Sequence, residues 1–245
     1  MFRRMLFVGL GGSGGKTLRV LKRDLKEWLI DHEWEGGFPA GWQFVHIDTP
    51  PTPDGMIAGG GSLEPNEYLG LIGSGIQFSQ VATRLGNIAD TDRELMGWRV
   101  DPAALQVPIT MGAGQFRAIG RSIAMCYAQP IKERLQQSIA LLNNPSTVAQ
   151  LGSLYTHVEN ASTQDSSVPP IVVIVSSLAG GTGAGLLVDV CDTMRALEPE
   201  WGGNSIALLY TPEVFLGLGD GSVGGVQPNS LAAISEVLNG FWWHG

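Results

Sequence analysis

The chain has 245 residues, a formal net charge of −8 and 44% apolar residues, enough to bury a core of ordinary α/β size. Its negative balance excludes the electrostatic footprint of a DNA- or RNA-backbone binder. Its two cysteines, Cys126 and Cys191, lie in apolar helical patterns and are expected to be buried free thiols of a reducing compartment, not a disulfide.

Arg3–Val8 predicts a first strand, Gly9–Gly15 a turn, and Lys16–Ile30 a helix with Leu18, Leu21, Leu25, Trp28 and Leu29 along one face. Trp42–Ile47 predicts a second strand, making a right-handed β-α-β unit that ends in the proline-rich loop Asp48–Asp54. Residues 55–106 are less legible: Pro65–Ile72 and Gln80–Arg99 hold helical fragments, and Leu105–Thr110 suits a short edge strand. Met111–Arg117 is another glycine turn, followed by one long helix over Ala118–Leu142. Asn143–Val168 is polar and without clear period, as an inserted surface connection would be.

Pro170–Val175 is a continuous apolar, β-branched run, the pattern of a parallel strand buried on both faces. Ser176–Gly185 follows as a glycine loop, and Leu186–Leu197 as a helix. Ser205–Thr211 predicts another buried parallel strand, Gly217–Gly225 a loop, and Ser230–Leu238 a helix. The apolar end Phe241–Gly245 suits a surface covered by another copy or a partner protein, as in one piece of a longer architecture. His32, His46, His157 and His244 form no metal-ligand pattern. Met1–Val8 is too short for a signal or a membrane span, so a cytoplasmic chain without a transmembrane segment is expected.

Glycines between a strand end and a helix start let an anion reach unsatisfied backbone N–H groups and the positive end of the helix dipole. Gly9-Leu-Gly-Gly-Ser-Gly14 satisfies a dinucleotide pattern, but its acidic partner, Asp48, comes late. Gly11-Gly-Ser-Gly-Gly-Lys16-Thr17 approximates a phosphate-binding P-loop, displaced by one residue. A nucleotide-dependent enzyme of either type, or a tightly packed module that binds nothing, stays open on these residues alone.

Three glycine segments in order, Gly9–Gly15, Gly112-Ala-Gly-Gln-Phe-Arg-Ala-Ile-Gly-Arg121 and Gly180-Gly-Thr-Gly-Ala-Gly185, resemble the tubulin/FtsZ family, in its divergent bacterial tubulin-like branch. Ala179 and Ala184 stand where the signature of that family carries a glycine and a small hydroxyl residue. The resemblance covers most of residues 1–215 and implies a three-layer Rossmann-like α/β domain, strand order 3-2-1-4-5, with insertions near 51–106 and 143–168. It implies GTP or GDP with Mg²⁺, and nucleotide-controlled head-to-tail assembly into filaments. Gly11, Gly12, Ser13 and Gly14 would cradle the α- and β-phosphates, and Gly180, Gly181, Thr182, Gly183, Ala184 and Gly185 would wrap their other side. Ala113, Gly114 and Gln115 would sense the γ-phosphate, with Arg117 able to assist; Asp48 and Thr49 would help place the metal, and Lys16 lies near the nucleotide. A side chain on Gly181 is expected to fill phosphate space without harming the fold. The second domain of the family, which supplies hydrolytic carboxylates to a neighbouring protomer, has no counterpart in this sequence. No catalytic residue is therefore assigned, and turnover is expected only when a neighbour or missing domain completes the site.

Overall fold

A computed structural model describes residues 2–55, 60–89, 101, 109–160, 167–215, 217 and 224–243. Its sheet is parallel throughout: β1 (Met5–Leu10), β2 (Trp42–Asp48), β3 (Tyr68–Gly70), β4 (Ile171–Ser177) and β5 (Ser205–Tyr210), in the order β3-β2-β1-β4-β5. The chain winds outward from β1 to one edge, then returns to the other side of β1 and winds outward again. This is the order that the sequence implied.

Alternation of side chains explains why the sheet is covered on both faces. Leu6, Val8 and Leu10, Val45 and Ile47, and Val172 and Ile174 belong to one core. They pack with α2 (Phe78–Ala89), α3 (Arg117–Cys126), α4 (Ala128–Leu142) and α6 (Gly181–Leu197). The intervening Phe7, Trp42, Phe44, Val173 and Val175 pack on the other face with α1 (Gly11–Asp31) and α5 (Pro145–Glu159). α7 (Val226–Trp243) joins the first core through Ala233.

Several elements differ from the sequence expectation, each for a local reason. The glycine runs at 11 and 181 are not loops before helices but the first turns of α1 and α6. The single helix expected over Ala118–Leu142 is broken at Tyr127, whose φ of −119° and ψ of 24° leave the helical region. Pro130 opens α4 and cannot follow a continuous helix, because its ring opposes the carbonyl of Cys126, four residues back. Pro65–Glu67 is a 3₁₀ turn leading into β3, where a helical fragment was expected. Within the expected strand at Leu105–Thr110, residues 105–108 lie outside the described residues, and a 3₁₀ turn begins at Ile109. The expected fragment over Gln80–Arg99 is helical to Ala89, with the remainder outside the described residues.

The polar stretch after residue 143 contains α5, started by Asn144 accepting the Ser146 N–H and stopped by Asn160 in the left-handed region at φ 50°. Its Leu151 and Leu154 are fully buried against the sheet. β5, expected to be buried, is an edge strand with Ile206 51% and Leu208 52% exposed. Most of the expected loop at Gly217–Gly225 lies outside the described residues, and the last helix begins earlier and runs longer than expected.

β3 is held by a buried cation. Lys22, only 2% exposed on α1, donates to both carboxylate oxygens of Glu67 at 2.7 and 2.6 Å, beneath the rings of Phe38 and Phe44. Removing one member leaves a desolvated charge alone, whereas replacing both removes the desolvation cost as well. Lys22→Met is therefore expected to destabilise by about 3 kcal/mol or more in denaturant unfolding. Lys22→Met with Glu67→Met should recover most of that loss.

Candidate functional site

The winding order reverses between β1 and β4, and α1 and α6 both begin at that point, at the carboxyl ends of these strands. Ligands of open α/β sheets bind at such crevices. The residues before the helices, Leu10 and Gly180, are extended, and neither supplies a side-chain cap. Neither helix has an acidic residue in its first turn. Two positive helix ends, with first-turn N–H groups that no earlier helical carbonyl can satisfy, therefore adjoin one cleft of about 200 Å³.

Close backbone approach explains the glycines. Gly11 has φ +67°, and a Cβ there would lie 2.9 Å from the Gly183 nitrogen. A Cβ on Gly183 would meet the Ser176 Oγ at 2.8 Å and the Leu10 carbonyl at 3.1 Å. The two helix starts are thus locked against each other and against both strand ends.

Of the residues the sequence singled out, Gly11, Gly12, Ser13, Asp48, Ala113, Gly114, Gly180, Gly181, Thr182 and Gly183 line the cleft. Gly112, the first residue of the turn expected to face the γ-phosphate, joins them, as do Pro50, Asp54 and Ser177, to which the sequence assigned no site role. Ser177 had a legible signal, a hydroxyl residue at the end of a strand. Its Oγ accepts the Ala179 and Gly180 N–H groups at 3.0 and 3.4 Å and so shapes the turn into α6.

Gly14 and Gly185 lie behind the cleft as packing glycines; added Cβ atoms would meet the Val175 carbonyl at 2.5 Å and the Arg121 nitrogen at 2.7 Å. Lys16 is half exposed, with its Nζ 3.9 Å from Asp54 Oδ2. Thr49 is fully buried and shares a 3.1 Å hydrogen bond with Thr182, tying the β2 end to α6. Ala184 is buried, and its carbonyl accepts from Arg117 Nε at 3.1 Å. Arg117 is turned toward α7, where it pairs with Glu236. Gln115 also faces α7: its Oε1 accepts the Gly225 N–H at 2.7 Å.

The expectation for Gly181 needs correction. Its Cβ would collide with the Ala113 and Gly114 carbonyls at 2.6 and 2.8 Å, so a side chain there displaces the protein's own loop. Gly180 is different, because a Cβ there meets nothing within 4 Å.

The cleft also carries negative charge. Asp48 ends β2, 6% exposed, with Oδ1 accepting the Thr49 N–H at 2.7 Å and Oδ2 3.7 Å from His46 Nε2, beyond hydrogen-bond reach. Asp54 stands opposite Gly12. Among the described residues no group of three or more His, Cys, Asp or Glu could hold a metal ion by itself. Among them, too, no helix is long and apolar enough to cross a membrane.

Behind the cleft, α7 is fastened to its loops. The Asn229 amide donates to the Gln115 carbonyl at 2.7 Å and the Ala179 carbonyl at 2.9 Å, bridging the two loops that form one wall. Arg117 and Arg121 reach Glu236, and Arg121 also lies 3.6 Å from Asp189.

A doubly wound parallel α/β domain with a cleft flanked by two helix N-termini at its switch point is the class of protein defined by this fold and site. A family model described as tubulin-like matches residues 6–244, and the chain belongs to that family. A search of curated proteins returned no match.

Burial pushes the Asp189 carboxyl up to about 6, against the opposing pull of Arg121, with Asp192 and Glu236 adding to the rise. Because the folded pKa is raised, the stability from this group is full below about pH 4 and lost as pH rises through about 6. Asp189→Asn should therefore flatten the fall in unfolding free energy between those two pH values, measured by denaturant titration at a series of pH values. Burial also raises both thiols, Cys191 to about 11. Both cysteines are free, and neutral thiols react poorly with alkylating reagents.

Proposed function

We propose that the cleft binds the phosphates of a guanine nucleotide together with Mg²⁺, and that nucleotide state governs head-to-tail association of copies of this chain. The observation that carries the reading is the convergence of two uncapped, glycine-built helix N-termini on one cleft. Either end alone attracts an anion; two side by side repel each other until negative charge lies between them. The volume, about 200 Å³, falls below the range of about 300–1,000 Å³ that encloses a whole drug-sized ligand. It suits the phosphate chain, with sugar and base lying beyond it.

The residues fit the metal as well. Mg²⁺ is held by one or two carboxylates plus substrate phosphates, keeping several waters, and needs no dedicated protein cage. Asp48 and Asp54, which both line the cleft, would hold such an ion or its waters. The metal would supply charge neutralisation between phosphate oxygens and these carboxylates. Backbone N–H groups of α1 and α6 would bind the phosphates, and the Gly112–Gly114 turn would close over the terminal one. Guanine, and assembly into filaments, rest on family membership. Association is also supported by the apolar surface of α7, where Leu231 is 71% and Leu238 52% exposed.

Gly180→Val tests the site, because its Cβ would meet no protein atom within 4 Å while standing at a residue that lines the cleft. Calorimetry should show saturable GTP binding in the wild type, preferred over ATP, weakened at least about tenfold in Gly180→Val, a loss of the size of one charge-assisted hydrogen bond. Its unfolding midpoint should be unchanged. Undiminished affinity in the folded variant would falsify the phosphate assignment. Gly181→Val should instead lower the midpoint as well.

A further inference from the structure

A second cavity, of about 540 Å³, lies beside the phosphate cleft, between α1, the end of β2 and the segment entering β3, and only Asp54 belongs to both walls. Arg19 of α1 lines it, 5% exposed and without a carboxylate in ion-pair reach among the described residues. Its Nη1 donates to the carbonyls of Asp54 and Gly55, both at 2.9 Å, which fixes the guanidinium plane. Its Nε and Nη2 are buried and make no hydrogen bond. These two N–H groups share one edge of the guanidinium, the fork that pairs with the two oxygens of a planar oxyanion. Burying a cation with that edge unpaired is strongly unfavourable.

The surroundings narrow the ligand. His46, 1% exposed, also lines the cavity; Nε2 meets the Gly11 carbonyl at 3.1 Å, and Nδ1 has no partner. Much of the remaining wall is apolar, from Pro51, Pro53, Leu63 and the ring of Tyr68, whose hydroxyl is turned to the Pro50 carbonyl at 2.6 Å. The carboxylates at the rim, Asp54 and Glu64, are half exposed and already face lysines: Lys16 for Asp54, and Lys22 and Lys26 for Glu64. One unmatched positive charge within an apolar enclosure calls for a monoanion with an apolar body. A dianionic phosphate would meet the rim carboxylates with excess charge.

We propose that this cavity binds a small organic carboxylate, its two oxygens on Nε and Nη2 of Arg19, at a site separate from the phosphate cleft. The proposal does not depend on the nucleotide reading. Benzoate is a suitable probe, and benzyl alcohol its neutral counterpart. Benzoate is expected to bind the wild-type chain saturably and to shift the His46 imidazole and Tyr68 ring resonances in NMR titrations. Affinity should fall at least about tenfold for benzyl alcohol, for Arg19→Met and for Arg19→Lys, which keeps the charge but loses the fork. GTP at saturating concentration should leave benzoate binding unchanged. Absence of saturable binding, equal affinity for the two probes, full affinity in a folded Arg19 variant, or displacement by GTP would each overturn the proposal. Should both variants fail to fold, the wild-type comparison of the two probes with the His46 shift decides the matter.

Discussion

The structure depends on one contact between backbones. Where β1 and β4 end side by side, α1 and α6 start so close together that Gly11 and Gly183 interlock, with no space for a β-carbon on either. Every neighbouring feature accommodates that approach. Gly14 lets α1 rest on the β4 backbone, Gly120 and Gly185 let α3 press on α6, and Gly15 leaves room for the His46 ring. A parallel sheet supplies the geometry, because only parallel strands bring consecutive helix starts to the same edge.

That packing has an electrostatic consequence. Helix N-termini in proteins are usually relieved by a Ser, Thr, Asp or Asn cap or by acidic first-turn residues. Here both are missing at both helices, and the hydroxyl nearest at hand, on Ser177, is spent on the turn before α6. Close approach does not explain the missing cap on α6, because a Cβ on its N-cap residue, Gly180, would meet nothing within 4 Å. At the α6 start the Gly181 N–H is taken by the Gly114 carbonyl at 2.7 Å, and Asp48 and Asp54 place negative charge at the cleft rim.

How far this was legible in the sequence follows from the range of the interactions involved. The β-branched run before Ser176 and the alternating positions of β1 and β2 announce strands through local pattern, and three ordered glycine segments announce the helix starts. The sheet order followed only from the family resemblance that those glycine segments carry, since local pattern does not order strands. Local pattern fails where tertiary contact decides. β3 is three residues long and owes its place to pairing with His46–Asp48 and to the Lys22–Glu67 ion pair, neither visible in Tyr68-Leu-Gly70 itself. α5 had its signals, Asn144-Pro145 at the start and Val148, Leu151, Tyr155 and Val158 at helical spacing, but its polar neighbours obscured them. At the site, glycines that touch the cleft and glycines that pack behind it are identical in sequence. Only the distances from their missing side chains separate Gly180 from Gly181 and Gly185. Arg117 shows the same limit, since nothing near it in sequence foretells a partner at position 236.

The Asn229 amide holds two carbonyls from loops that are 114 and 50 residues away along the chain. A primary amide has two N–H bonds, and both are spent here, so retreat of either loop breaks one of them or pulls on the first turn of α7. Opening of the cleft wall and fraying of the last helix are thereby coupled, by no more than the roughly 1–3 kcal/mol that two hydrogen bonds supply.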